Sequence, residues 1–269
     1  MFVYPNIDPV AFNLGLLKVH WYGIMYLLAF VSAWYIALKR CRRQDTLIAA
    51  DQVEDIVVYS ALGVVLGGRC GYVFFYNFEK WLADPLWLFR LWEGGMSFHG
   101  GLLGVILAIV IYSLRHKQHF FDITDFIAPL IPLGLGFGRI GNFIGGELWG
   151  RPTELPWGMV FPHVDDVARH PSQLYQAFLE GVLLFAIIFW FSAKPRPRMT
   201  VSALFLIFYG LFRFLVEFVR QPDAHIPELA FGWMTRGQLL SIPMVAVGFI
   251  LLVLAYSRTS VAVNNKGAV

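Results

Sequence analysis

The chain has 269 residues, of which 58% are hydrophobic, 17% aromatic and only 14% charged. Soluble domains carry about 25% charged residues, so this composition excludes an ordinary water-soluble globule and predicts an integral membrane protein. A net charge of +3 offers no basic field for nucleic acid, and two cysteines, Cys41 and Cys70, make no disulfide framework and read as packing residues.

The opening "MFVYPNIDPVAFNLGLLK" has no basic leader and no small-residue cleavage pattern. It is therefore not a cleavable signal, and the first span is expected to insert as part of the mature protein. Seven apolar stretches approach the roughly 20 residues a span requires: 19–38, 55–76, 99–114, 123–143, 173–193, 200–219 and 238–257. The third is short without its glycine-rich start, and Pro129 and Pro132 break the fourth. Basic residues crowd beside the spans at Lys39, Arg40, Arg42 and Arg43, at Arg115 and Lys117, and at Lys194, Arg196 and Arg198. Those loops are predicted to lie inside the cell, which sets the N-terminus outside and the C-terminus inside. The expected fold is all-α, a single transmembrane domain over 1–269 with seven spanning helices.

Two outer segments, about 77–98 and 144–172, are too rich for simple connectors. In "NFEKWLADPLWLFRLWEGG" (77–95), Asp84 suits an N-cap and Pro85 a first helical position. Trp81, Trp87, Phe89 and Trp92 make this segment an amphipathic arm for the headgroup layer. The second segment, with Pro152, Pro156 and Pro162, reads as a polar loop or head ordered around a site.

An ionisable group at membrane depth costs about 2.5–3.5 kcal/mol on insertion scales, so each needs a partner or a task. Arg69, Asp125, Arg139, Glu180, Arg213 and Glu217 all fall in or beside apolar spans. Arg213 and Glu217, one turn apart, share a face. Arginines at depth favour bidentate grip on a carboxylate or phosphate. Gly63, Gly67 and Gly71 form one close-packing face, and Gly134, Gly138, Gly141 and Gly145 a second that would hold Arg139 and Asn142 in place. His99, in "GGMSFHGG", is the histidine best placed to take a proton near neutral pH. His20, His116, His119, His163, His170 and His225 are weaker candidates. No cluster has metal-ligand spacing and no phosphate-loop or nucleophile-elbow motif occurs, so neither metal nor cofactor is expected.

The stretches "HWYGIMY" (20–26), "GGRCGYVFFYN" (67–77), "GGMSFHGG" (94–101), "DFIAPLIPLGLGFGRIGNFIGGELWGR" (125–151), "RHPSQLYQ" (169–176) and "YGLFRFLVEFVRQPDA" (209–224), in this order, resemble the bacterial prolipoprotein diacylglyceryl transferases. The resemblance implies a seven-helix inner-membrane enzyme with its active site toward the periplasm and its two outer segments as periplasmic arm and head. It also implies transfer of a diacylglyceryl group from phosphatidylglycerol to the lipobox cysteine of a prolipoprotein, with release of glycerol phosphate. Carried across, the important positions are Tyr22, His99, Arg139, Asn142, Glu147, Gly150 and Arg213. Gly145 and Gln176 depart from the family pattern, which commonly has Asn and often Glu there.

On that reading Arg139 and Arg213 bind the lipid phosphate, and His99 accepts the thiol proton. Asn142 and Tyr22 orient headgroup oxygens, Glu147 holds an arginine or the loop, and Gly150 lets backbone pass close by. Two other classes use the same residues: a transporter or channel for an anionic solute, and a lipid-binding scaffold whose arginines only pair with Glu180 and Glu217.

Overall fold

A computed structural model describes residues 2–15, 17–43, 46–222 and 233–266. His225, like the last two residues of the 209–224 stretch, lies outside the described residues. The chain divides into two compact units, Met1–Ile36 with Asp125–Val269, and Ala37–Thr124.

Among the described residues, five helical stretches are long and apolar enough to cross a membrane: α1 (Trp21–Cys41), α2 (Ala50–Tyr76), α4 (Phe98–Arg115), the run Ser172–Phe191, and Arg236–Ser257 within α10 (Arg236–Lys266). The expected fourth span is two helices, α5 (Phe120–Ile127) and α6 (Ile131–Ile144), bent by 48°. Pro129 sits in the break and disfavours helix for the residue before it, while Pro132 falls in the first turn of α6, where its missing N–H costs nothing. Counted as one, the pair is a sixth crossing. The expected sixth span, α9 (Thr200–Val216), is apolar but only 17 residues long. Among the described residues, length and composition thus give a mostly helical multi-pass membrane protein with five crossings, or up to six with the bent pair counted as one. Leu27, Phe30, Val31 and Trp34 on α1 are exposed, as a lipid solvent requires.

In the Ala37–Thr124 unit, α2 and α4 meet through glycine. A Cβ on Gly67 would lie 2.3 Å from the Gly100 carbonyl oxygen, and one on Gly63 2.7 Å from that of Gly104. The predicted close-packing face of Gly63, Gly67 and Gly71 is used, and its partner is the glycine pair of α4. The arm follows as α3 (Phe78–Ala83) and two 3₁₀ turns, Pro85–Phe89 and Leu91–Glu93. Asp84 makes no side-chain cap; its carboxylate pairs instead with Arg90 at 2.8 Å. Phe89 and Trp92 are exposed, but Trp87 is buried under the Arg69 guanidinium, 4.7 Å from the ring centroid. Arg69 donates to the carbonyls of Trp87 (2.6 Å), Leu88 (2.9 Å), Arg90 (3.1 Å) and Gly94 (2.5 Å). Its donors are consumed in folding the arm, which removes it from the arginines free to grip an anion.

The other unit begins with two features absent from the expected all-α fold. A hairpin, β2 (Val10–Leu14) with β3 (Leu17–His20), precedes α1. The segment β1 (Phe2–Val3) runs parallel to β4 (Met159–Val160), which pairs antiparallel with β5 (Ala168–Arg169). The 144–172 segment is therefore ordered, as expected, but around a small sheet that borrows a strand from the N-terminal residues. Asp125, predicted to need a partner, accepts from the backbone N–H of Met199 (2.7 Å) and Ser202 (2.8 Å) and from the Ser202 hydroxyl (2.6 Å). It thereby satisfies orphan donors at the start of α9. The run Ser172–Phe191 consists of α7 (Ser172–Gln176), a π-helical stretch Ala177–Leu183 and α8 (Leu184–Phe191). Ala128, Leu184, Ile188, Val201 and Phe212 form its apolar core with α9.

Candidate active site

Three elements bring charged side chains together in the unit formed by Met1–Ile36 and Asp125–Val269. Helix α6 presents Arg139, the π-helical stretch presents Glu180, and α9 presents Arg213, with Glu217 at its C-cap. The approach of α6 to the π-helical stretch is set by Gly136 and Gly181: a Cβ on Gly181 would lie 2.7 Å from the Gly136 Cα. This is not the glycine face expected. Gly138 has nothing within 4 Å of a Cβ, Gly134 faces the Ala29 methyl at 3.5 Å, and Gly141 leaves room for the Tyr22 ring, 2.9 Å away. A π-bulge inserts an extra residue into a helix and re-aims the side chains after it, and here it carries Glu180.

Glu180 is fully buried. Its Oε2 lies 3.4 Å from Arg139 Nε and its Oε1 4.0 Å from an Arg213 guanidinium nitrogen. Arg213 also pairs with Glu217 at 2.5 Å, the one-turn spacing anticipated from sequence. Glu217, buried as well, takes a second guanidinium from Arg220 at 3.4 Å and a hydroxyl hydrogen bond from Thr235 at 2.6 Å. The printed distances thus tie Arg139 and Arg213 to Glu180, and Arg213 and Arg220 to Glu217. One Arg213 nitrogen and Glu180 Oε1 are buried with no hydrogen-bond partner among the described residues. These two atoms face each other across 4.0 Å, an ion pair too long for a hydrogen bond, so the Arg213 nitrogen keeps a donor that an anion could take.

The loop after α6 carries Glu147 and Gly150, and its carbonyls are captured one after another. Tyr4 donates its hydroxyl to Ile144 O (2.7 Å), His163 Nε2 bonds Gly146 O (2.8 Å), Gln173 donates to Glu147 O (2.6 Å) and Ser172 to Leu148 O (2.9 Å). The capture holds Leu148 at φ 59°, a strained value for a non-glycine residue. A Cβ on Gly150 would lie 2.5 Å from His170 O and 2.6 Å from Val219 O, so backbone does pass there at a distance only glycine permits. Glu147 is exposed and forms no salt bridge among the described residues; backbone capture, rather than its carboxylate, holds the loop. Asn142 is buried one turn beyond Arg139, and Tyr22 stacks obliquely on Tyr26 with ring centroids 5.1 Å apart, in electrostatic range of Arg139 and Glu147.

Around this loop, Arg169 binds Asp165 and holds its carboxyl below the usual carboxylate range, and burial raises the Tyr4 phenol. Burial lowers the His170 imidazole, which lies 3.3 Å from the Tyr175 hydroxyl. Arg139, Arg213, Asn142, Glu147, Gly150 and Tyr22 therefore belong to one unit. His99 belongs to the other, exposed in the first turn of α4 beside its cap Ser97. Glu180 and Arg220 are absent from the expected site; the first is visible in the sequence as an ionisable group in an apolar run, while the second stands just past the 200–219 stretch. Among the described residues no group of three His, Cys, Asp or Glu side chains could hold a metal ion.

Residues 9–254 match the family model described as prolipoprotein diacylglyceryl transferase. The chain is 59% identical to the phosphatidylglycerol–prolipoprotein diacylglyceryl transferase of Teredinibacter turnerae, over 97% of this chain and 95% of that protein. It is 57% identical to the enzyme of the same name from Methylococcus capsulatus (97% and 100% covered) and 59% identical to that of Coxiella burnetii (95% and 98%). A match over almost the whole length, spanning every element that builds the site, places the chain in the prolipoprotein diacylglyceryl transferase family.

Proposed function

We infer that this chain is a transferase that moves the diacylglyceryl group of phosphatidylglycerol onto a prolipoprotein. The acceptor is the lipobox cysteine thiol beside the signal peptide. The sulfur attacks the glyceryl carbon bearing the phosphate ester, a C–S bond forms and the C–O bond breaks. The electron pair stays on the phosphate, which leaves as glycerol phosphate. The thiol needs a proton acceptor, since a free cysteine has a pKa of about 8.5. The exposed imidazole of His99 suits that task.

One observation carries the reading: two guanidiniums, Arg139 and Arg213, converge on buried Glu180 from two helices, with an Arg213 nitrogen that has no hydrogen-bond partner among the described residues, an arrangement that suits one phosphodiester. Arg139 and Arg213 hold the phosphate and strengthen their grip as charge builds on the leaving oxygen. Asn142 and Tyr22 orient headgroup oxygens, and the captured loop with Gly150 keeps Glu147 beside them. The reading extends to the whole chain as a single catalytic transmembrane domain of seven helices in the bacterial inner membrane, N-terminus outside, with the 77–98 and 144–172 segments in the periplasm. The bent α5–α6 pair and α9 then each cross once.

The test is incubation of membranes containing the protein with phosphatidylglycerol labelled in its acyl chains and a lipobox peptide. Label in a thioether on the peptide cysteine is the expected product. Label remaining in lipid, with the protein folded, contradicts the assignment.

A further inference from the structure

Gln173, Gln176 and Glu180 occupy one face at spacings of three and four residues, and all three are fully buried. The stripe starts at the captured loop, where Gln173 Nε2 donates to Glu147 O, and ends at Glu180 between Arg139 and Arg213. Gln176 is in the middle. Among the described residues neither its amide nitrogen nor its amide oxygen has a hydrogen-bond partner, and Gln173 Oε1 and Glu180 Oε1 also accept no hydrogen bond. An interior amide with both ends unmatched is destabilising by an amount no apolar side chain of that size would incur. A row of such atoms along one helix face calls for a partner rich in hydroxyl groups.

We propose that the buried Gln173–Gln176–Glu180 stripe binds the polyol head of the donor lipid, with the Gln176 amide as the group that selects a hydroxyl-bearing headgroup. The inference rests on the reading that Arg139 and Arg213 hold the lipid phosphate. A phosphodiester has two substituents. The diacylglycerol side must leave toward the membrane, and the head is then free to follow the polar stripe. Gln176 lies one turn from Glu180, about 5–6 Å between Cβ atoms, a separation a glycerol unit spans. Its carboxamide offers a donor and an acceptor together, which suits an alcohol O–H that needs both. The π-helical stretch begins at the next residue, so the helix is already distorted where the head would enter.

The experiment compares two donors of equal charge and equal acyl chains, phosphatidylglycerol and phosphatidylethanol, in transfer to a lipobox peptide. The wild-type protein should favour phosphatidylglycerol by about tenfold or more in kcat/KM, the worth of one well-made buried hydrogen bond. The near-isosteric Gln176→Met should reduce that ratio to within about twofold, and Gln176→Glu, which keeps an acceptor, should fall between. A wild-type protein indifferent to the headgroup hydroxyls overturns the proposal whatever the variants do. So does a Gln176→Met protein that is slower with both donors at an unchanged ratio, since that is the mark of a packing role. Absence of transfer from either donor by wild type would instead remove the transferase reading on which this inference stands.

Discussion

At the scale of single residues, the proposed phosphate site rests on two guanidiniums that share buried Glu180. Arg139 is about one-fifth exposed and has one contact of 3.4 Å to Glu180, whereas Arg213 shares itself between two buried carboxylates. On the proposed assignment, removing either guanidinium takes away transition-state stabilisation while leaving Glu180 one partner. Arg139→Ala and Arg213→Ala should each lower kcat/KM by about 10²–10³-fold or more, the scale set by single oxyanion donors. Equal activity in a folded, membrane-inserted Arg139→Ala protein, measured by peptide labelling, would show that the phosphate is held elsewhere. A second residue-scale effect concerns pH. Burial depresses the His170 pKa, so below the ordinary value of 6.5 the unfolded chain takes up a proton that the folded chain resists. That contribution favours unfolding at acid pH, eases as pH rises, and is flat above the unfolded pKa. Thermal unfolding in detergent should therefore depend less on pH between about 5 and 7 in His170→Gln than in wild type.

The sequence disclosed ionisable residues in apolar runs, and the Arg213–Glu217 pair follows from helical spacing alone. It did not disclose that Arg69 is spent on carbonyls of the arm. Those acceptors are backbone groups 18 to 25 residues away, and no side-chain pattern marks them.

At the scale of elements, glycine decides how closely helices and loops approach, but only at some of its positions. The Gly63–Gly67–Gly71 face was legible as a repeat, and its use against Gly100 and Gly104 follows from the same close-packing rule. In α6 the four-residue repeat misled. Gly136, outside it, makes the crossing because its partner Gly181 sits in a π-helical stretch that shifts the facing residues. The hairpin at 10–20 was hidden because its residues alternate too weakly to stand out beside a span. These distinctions predict opposite outcomes for one substitution type. Gly67→Ala and Gly150→Ala place a methyl on backbone oxygens and should destabilise by about 1–3 kcal/mol. Gly138→Ala enters open space in a helix and should be neutral or stabilising by about 0.5–1 kcal/mol. Thermal unfolding of the three purified variants gives the comparison, and equal shifts would refute the packing account.

At the scale of the whole molecule, composition sufficed for a multi-pass membrane protein, and the family is legible in motifs that run from α1 to α9. The number of crossings was less legible, because span length is judged on residues alone while a bent pair and a 17-residue helix depend on what packs around them. The proposed arrangement requires an odd number of crossings between the two termini. An alkaline phosphatase reporter inserted within 144–172 should be active and one at 194–198 inactive. The reverse pattern would invert the topology and move the guanidinium site to the wrong leaflet. The most direct measurement is a structure of the protein with phosphatidylglycerol bound. Phosphate oxygens are expected at charge-assisted hydrogen-bond distance, about 2.7–2.9 Å, from Arg139 and Arg213. A headgroup phosphate seated away from both guanidiniums, with those side chains still paired only to Glu180 and Glu217, would contradict that expectation.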